Sequence, residues 1–284
     1  MNFKPLPVLV YSVGDPAGVN IKDRILEIVK YRVIGRIAYN GLLVEVEDPK
    51  VYLVGFSDDI IYISYVHNIF PNTPFFIYLS RHKSEKKVKS LTIHYPGNPG
   101  ENALYGGKPR ELAYTYPSLT REMLKTLYNI ASSEKLTEEY SVVLEATHHG
   151  PTEVTKPVVF IEIGSSEDEW KRRKVGEVIA LTVIETLKSY SKKAIPKATP
   201  VLGFGGGHYA HKHTKLSLEE NIAYGHIFAK YSIDYIDSKL IDQALQKTIE
   251  EYKAVVIEKK SIKSAKRRFI RELCESKGLK IIEI

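Results

Sequence analysis

Residues 145–153 read EATHHGPTE, with the adjacent His148 and His149 lying between the carboxylates Glu145 and Glu153. Imidazole titrates near neutral pH, and a nearby carboxylate orients it or relays its proton. The set therefore suits acid–base chemistry, metal ligation or water activation. A polar loop would look the same, and the placement of the other histidines decides between the two. The chain has nine. His82 follows the run FFIYL, His94 follows LTI, and His208, His211 and His213 follow VLGF. After VVFI, the segment EIGSSEDEW adds Glu162 and Trp170. Seven of the nine histidines thus lie where apolar runs end. In open α/β sheets, ligands bind outside the carboxyl ends of the strands. With parallel strands, these segments converge on one rim and line a histidine-rich pocket.

Taken singly, each signal is weak. His82 and His94 alone read as surface histidines. Neighbours in an extended chain point opposite ways, so one of His148 and His149 is expected to enter the pocket while the other packs. Glu153 and Glu162 can serve as metal ligands, general bases or partners that orient a histidine. The run GFGGG at 203–207 lacks both the P-loop ending and the dinucleotide spacing. Gly205, Gly206 and Gly207 suit close backbone approach, an anion nest or an oxyanion site. HYAHKH brings three histidines close without the HExxH pattern, which supports metal only weakly. Trp170 reads first as packing. There is no GxSxG, and the single cysteine, Cys274, is remote in sequence from the cluster. Histidine and carboxylate without a strong nucleophile point to activated water, hence hydrolysis. One cysteine also excludes an internal disulfide framework and a thiolate zinc cage, so any metal must take histidine and carboxylate ligands.

Elements must carry these groups to one place. Apolar runs bounded by Gly, Pro or Asn predict strands at 6–13, 42–46, 51–55, 75–79, 91–95, 141–146, 157–163, 199–204 and 253–258. Helical periodicity predicts helices at 18–31, 118–131, 168–190, 218–230 and 261–277. In the third of these, Val175, Val178, Ile179, Thr182 and Val183 form an apolar stripe. Runs such as VVFIEI and VLGF are apolar throughout, as strands buried on both faces are. The reading is an α/β fold with a mainly parallel sheet flanked by helices. The 284 residues, 43% hydrophobic and 26% charged, suit a single catalytic domain over 1–284. The Gly/Pro/Asn stretch at 95–109 is a candidate subdivision or a functional loop.

The chain carries 41 Lys and Arg against 34 Asp and Glu, a formal charge of +7. Toward the end, Lys260, Lys263, Arg267 and Arg271 recur at three- and four-residue steps and share one helical face, with Ile262, Phe269, Ile270 and Leu273 available for the buried side. A solvated face is the ordinary reading of such a run, and a nucleic-acid phosphate contact is the functional one. KRRK at 171–174 and KKVK at 86–89 add to it. No run is long enough to span a bilayer, and the start lacks a signal-peptide pattern, so a cytoplasmic protein is expected.

In their order and spacing, SRHKSE followed by LTIHYPGN, then EATHHGPTE, FIEIGSSEDEW and GFGGGHYAHKHT closely resemble the archaeal and plant-type D-aminoacyl-tRNA deacylases, with VGDPAGVNI preceding them. The resemblance runs from the first strand to the end of the chain, and HHGPTE, EIGS and GGGHYA together are highly specific. It implies hydrolysis of the ester between a D-amino acid and the tRNA 3′ end, zinc as cofactor, and a fold like those of peptidyl-tRNA hydrolases and phosphorylases. It places His82, His94, Asn98, His148, His149, Glu153, Glu162 and His208 on motif positions, whereas His211 and His213 fall where the family varies. The expected roles are catalysis for His148, His149, Glu153 and Glu162, and metal ligation for His82, His94 and His208. Substrate binding is expected of Asn98, Gly205, Gly206, Gly207 and Tyr209, and tRNA binding of Lys263, Arg267 and Arg271. A monomer is expected. The alternatives are a peptidyl-tRNA-type or small-molecule metallohydrolase, or a non-catalytic tRNA-binding module with a structural zinc.

Overall fold

The computed structural model describes residues 3–37, 41–84 and 87–284. The N-terminal elements are β1 (Val8–Ser12), α1 (Pro16–Ile28), β2 (Tyr31–Ile37), β3 (Gly41–Val46), β4 (Val51–Phe56), α2 (Val66–Ile69), β5 (Phe76–Lys83) and β6 (Ser90–His94). The short β7 (Gly97–Asn98) and β8 (Glu111–Leu112) precede α3 (Pro117–Ser133), β9 (Ser141–Leu144), β10 (Val158–Ser165), α4 (Glu167–Lys171) and α5 (Arg173–Ser191). The chain closes with β11 (Thr199–Phe204), α6 (His211–Glu219), β12 (Ile222–Phe228), α7 (Ser238–Gln246), β13 (Ala254–Ile257), α8 (Ser264–Ser276) and β14 (Lys280–Glu283).

Eight strands form one sheet in the order β2-β3-β4-β1-β5-β10-β6-β9, and β12-β11-β13-β14 form a second, wholly parallel one. The α/β architecture with a largely parallel sheet is thus the observed one. Alternation along β10 sets the two faces of the large sheet. Val159, Ile161 and Ile163 face a core built with residues of α1, α3 and α5. Val158 and Phe160 face the opposite way, onto Ile60, Ile63, Val66 and Phe70. The first core also takes in Val201, Tyr224 and Val256, so it continues into the second sheet. The main chain joins the sheets as well. Beyond β9, the Ala146 amide donates to the His208 carbonyl and the Ala210 amide to the Leu144 carbonyl.

Three expectations are corrected. Residues 218–230 are not a helix: α6 ends at Glu219 and β12 follows. Strand β12 is buried on both faces, and a continuous apolar run does not distinguish that case from a buried helix. Gly225 lies so close to the Tyr252 ring that a side chain there would collide. The helix expected at 168–190 breaks at Arg172, which is extended. There Asn20 donates its side-chain amide to the carbonyls of Trp170 and Arg172, at 2.9 and 3.1 Å. Finally, β6 runs antiparallel to β10, so the segments after β6 and β9 do not leave at the same rim as those after β5 and β10. The stretch 95–109 holds buried Pro96, Gly97 and Asn98 and packs against the body of the protein. Of the polar and basic runs, residues 85 and 86 lie outside the described residues.

Candidate active site

The groups meet on a sheet face rather than at a rim. On β10 the apolar residues Val158 and Phe160 give way to Glu162 on the same face. The register sets Glu162 beside Ser80 of β5 and Thr92 of β6, and Gly164 beside His82 and Ser90. His94 lies opposite Phe160 and stacks on its ring at 5.1 Å. Gly164 makes room here, because a Cβ would stand 3.2 Å from the His82 ring. Antiparallel β6 brings His94 to this face from the other direction, and Glu145, just beyond β9, falls beside it.

Glu145 is the centre. Its carboxylate lies 3.1 Å from His82 Nδ1, 3.4 Å from His208 Nε2, 3.6 Å from His148 Nε2 and 3.9 Å from His94 Nε2. Glu162 lies 3.4 Å from His82 Nδ1 and 3.6 Å from His94 Nε2. Both carboxylates and both inner histidines are buried. Yet neither oxygen of Glu145 and neither ring nitrogen of His94 has an aligned hydrogen-bond partner. Buried polar groups without partners are rare and costly. Burial alone would lower the pKa of His82 and His94, but Glu162 and Glu145 outweigh it and raise both. The two carboxylates are held below their usual range, because the histidines outweigh their desolvation.

His148 and His149 both line the cleft above this centre, which corrects the expectation that only one would enter. The reason is local: His149 has φ of 46°, a left-handed turn that swings its ring to the side of His148. The rings sit 4.3 Å apart. His148 Nδ1 donates to the Ala146 carbonyl at 2.8 Å and His149 Nδ1 to the Gly150 carbonyl at 2.6 Å. These bonds select the tautomer with a lone pair on Nε2. Burial and the surrounding histidines push His148 well down, and burial with His94 pushes His149 down to about 4. Both are therefore neutral at neutral pH, as a ligand or base must be.

Among the described residues, three groups have donor atoms mutually close enough to hold one cation: His94, His148 and His149; His82, Glu145 and His208; and His94, Glu145 and Glu162. The expected set of His82, His94 and His208 is not one of them, because His94 falls with the HH pair. Tyr209 reaches the centre through a contact of 3.0 Å between its hydroxyl and His82 Nε2. Other expected residues stand apart. Glu153 turns back to accept from the Thr152 amide at 3.0 Å and does not line the cleft. Asn98 donates to the Gly106 carbonyl at 2.8 Å and holds a loop. The amide of Gly205 is used by Phe228 and that of Gly206 by Ser261, and none of the three glycines lines the cleft. His213 is buried against the Tyr224 hydroxyl at 3.0 Å, and His211 is exposed on α6. On α8, Lys263 is exposed, whereas Arg267 donates to the Lys259 carbonyl at 3.1 Å and Arg271 pairs with Glu283. Phe269, expected on the buried side, is 43% exposed.

In the sequence Glu145 stands out only as a charge flanking the two histidines. The register β6–β9 places it beside His94, and no local pattern shows that. Asp15, Arg81 and Tyr105 also line the cleft, whose volume is about 840 Å³. Trp170 supports it by donating Nε1–H to the His82 carbonyl at 3.1 Å, with the Arg81 guanidinium 5.7 Å from its ring.

An α/β fold whose sheet face carries four histidines around a buried carboxylate has the groups for acid–base or metal-assisted chemistry without a thiol. The comparisons sharpen this. Residues 69–282 match the family model for D-aminoacyl-tRNA deacylase. A D-aminoacyl-tRNA deacylase of Staphylothermus marinus is 40% identical, covering 95% of this chain and 96% of its own. One from Pyrococcus furiosus is 33% identical over 98% of this chain and all of its own. A crystal structure of a conserved protein of unknown function, 28% identical, superposes with a TM-score of 0.88 over 98% of this chain and 95% of its own. The chain belongs to the D-aminoacyl-tRNA deacylase family and is an enzyme.

Proposed function

We propose that this enzyme hydrolyses the ester joining a D-amino acid to the 3′ end of tRNA, and that zinc assists it. The carrying observation is that His94, His148 and His149 bring ring nitrogens close enough together to hold one cation, at the edge of the cleft and beside the buried Glu145 carboxylate. Neutral imidazoles whose Nε2 lone pairs are left free by the Nδ1 bonds to Ala146 and Gly150 suit a cation between them. The donor set is nitrogen and oxygen, which zinc accepts, and three protein donors leave the open position that catalytic zinc sites keep. His94, His148 and His149 are the proposed ligands. Bound there, zinc would polarise the ester carbonyl and lower the pKa of water. Glu162, which lines the cleft, takes the proton of the attacking water. Glu145, buried beneath it, holds His82, His94 and His148 in place, and His208 in the cleft wall protonates the departing ribose oxygen. The wall near Cα, which separates the enantiomers, is formed by His208 with Tyr209 behind it rather than by the glycines. No helix among the described residues is long and apolar enough to cross a membrane. The substrate supports a cytoplasmic site of action.

The test is turnover of D- and L-aminoacyl-tRNA before and after chelation. We expect the D form to be cleaved at least about a hundredfold faster, beyond what one loose apolar contact gives. Chelation should abolish the activity and zinc restore it. Equal rates for the two enantiomers would end the proofreading reading, and full activity in metal-free enzyme would end the zinc reading.

A further inference from the structure

The segment 103–107, ALYGG, combines two properties that seldom coincide. Its backbone is pinned. The Tyr105 carbonyl accepts from the Gly150 amide at 2.9 Å and the Gly106 carbonyl from Asn98 Nδ2 at 2.8 Å. Gly106 and Gly107 have φ of 77° and 73°, and a Cβ on Gly106 would stand 2.3 Å from the Ile61 carbonyl. The loop is thus wedged between the HHGP turn and the turn at 60–62. Its side chains nevertheless stand in solvent: Leu104 is 77% and Tyr105 68% exposed, and Tyr62, against Gly106, is 55% exposed. A fixed loop with large apolar side chains outward is costly unless something covers them.

What covers them is indicated by the surroundings. Tyr105 lines the same cleft as His148 and His149, and so do Lys83 and Lys87. Neither lysine pairs with a carboxylate among the described residues, and Lys108, just beyond the loop, is exposed and likewise unpaired. Flat aromatic surface beside unpaired cations at a catalytic cleft suits unpaired nucleotides: bases stack on the rings while phosphates meet the lysines. Resting on the reading of tRNA as substrate, we propose that Tyr105, with Leu104 and Tyr62, is the platform on which the unpaired 3′-terminal bases of the tRNA stack, fixing the ester beside His148, His149 and Glu162.

The test uses Tyr105→Ala and Tyr105→Trp in the full-length enzyme. These side chains are solvent-exposed, so both variants should keep the wild-type melting temperature. Base–aromatic stacking predicts that Tyr105→Ala raises KM for D-aminoacyl-tRNA on the order of tenfold, with kcat nearly unchanged, and that Tyr105→Trp restores it. The KM for a simple D-amino-acid ethyl ester, which has no bases, should rise far less than that for D-aminoacyl-tRNA. Uncharged tRNA carrying 2-aminopurine as its last base should lose fluorescence on binding wild type but not the alanine variant. That binding arm is independent of hydrolysis, so a failure of the deacylase reading and a failure of the platform are told apart. An unchanged KM, an equal loss on the ethyl ester, or equal quenching by both proteins would overturn the platform.

Discussion

Two buried histidine environments lie within a few residues of each other and differ in one respect. At the sheet face, His94 and Glu145 are buried with polar atoms left over. Behind the HHG turn, His226 is equally buried with none left over: Nε2 donates to the Ala113 carbonyl at 3.0 Å, and Nδ1 meets the Thr147 hydroxyl at 2.9 Å. The same hydroxyl accepts from the Ile227 amide at 3.2 Å. The satisfied set is scaffold, since its interactions are complete without a ligand. The unsatisfied set is incomplete, and folding alone does not account for keeping it.

The largest effect should separate the two at once. Glu145→Gln and Glu162→Gln are expected to cut kcat by a hundredfold or more in enzyme shown to be folded. His226→Asn should do the reverse. It should lose roughly 1–3 kcal/mol of stability, as an unpaired buried partner does, with kcat close to wild type. Steady-state kinetics and thermal melts on the same preparations decide it. A stable, inactive His226→Asn enzyme would break the comparison.

Much of this was legible beforehand, but unevenly. Strands such as β11 could be read because an apolar run between Gly and Pro signals is a local property. The histidine clustering was also visible. The central role of Glu145 was not, since it follows from β9 lying beside β6, a pairing over fifty residues apart in sequence. Likewise Glu153 matched a motif, yet its carboxylate turns back on its neighbour's amide. A residue type in a motif does not specify which way the side chain faces.

A smaller effect lies in acid stability. Burial lowers His226 to about 4, against 6.5 for the free group. The unfolded chain therefore binds the extra proton first, and stability rises with pH over this window. The contribution is complete above about pH 6.5 and is lost as pH falls toward 4, at up to roughly 1.4 kcal/mol per pH unit. His82 and His94, whose values are raised, act in the opposite sense, so the wild-type minus His226→Asn difference isolates the group. Urea titrations of both proteins between pH 7 and 4 should converge as pH falls. Parallel curves would show that folding leaves the titration of His226 unshifted.

The smallest effect concerns α8. Because Arg267 and Arg271 already have partners within the protein, replacing Lys263, Arg267 and Arg271 by Gln together should flatten the salt dependence of tRNA binding by about one contact. One contact corresponds to roughly 0.7–0.9 log units in the slope. A drop of three such contacts would restore the full basic face to the interface, and no drop would make it a solvated surface.

The two hydrogen bonds that carry the end of β9 onto residues 208–210 have a consequence for the chain as a divisible object. The connection at 192–197 between α5 and β11 is largely exposed. Cutting there would leave Glu145 and four histidines of the centre on one piece and His208 with Tyr209 on the other. The hydrophobic core and those two bonds would have to re-form before the centre was whole. Deacylation by the mixed halves would then read out their reassembly, rising with the concentration of either half. Full turnover by the first half alone would show that His208 is dispensable.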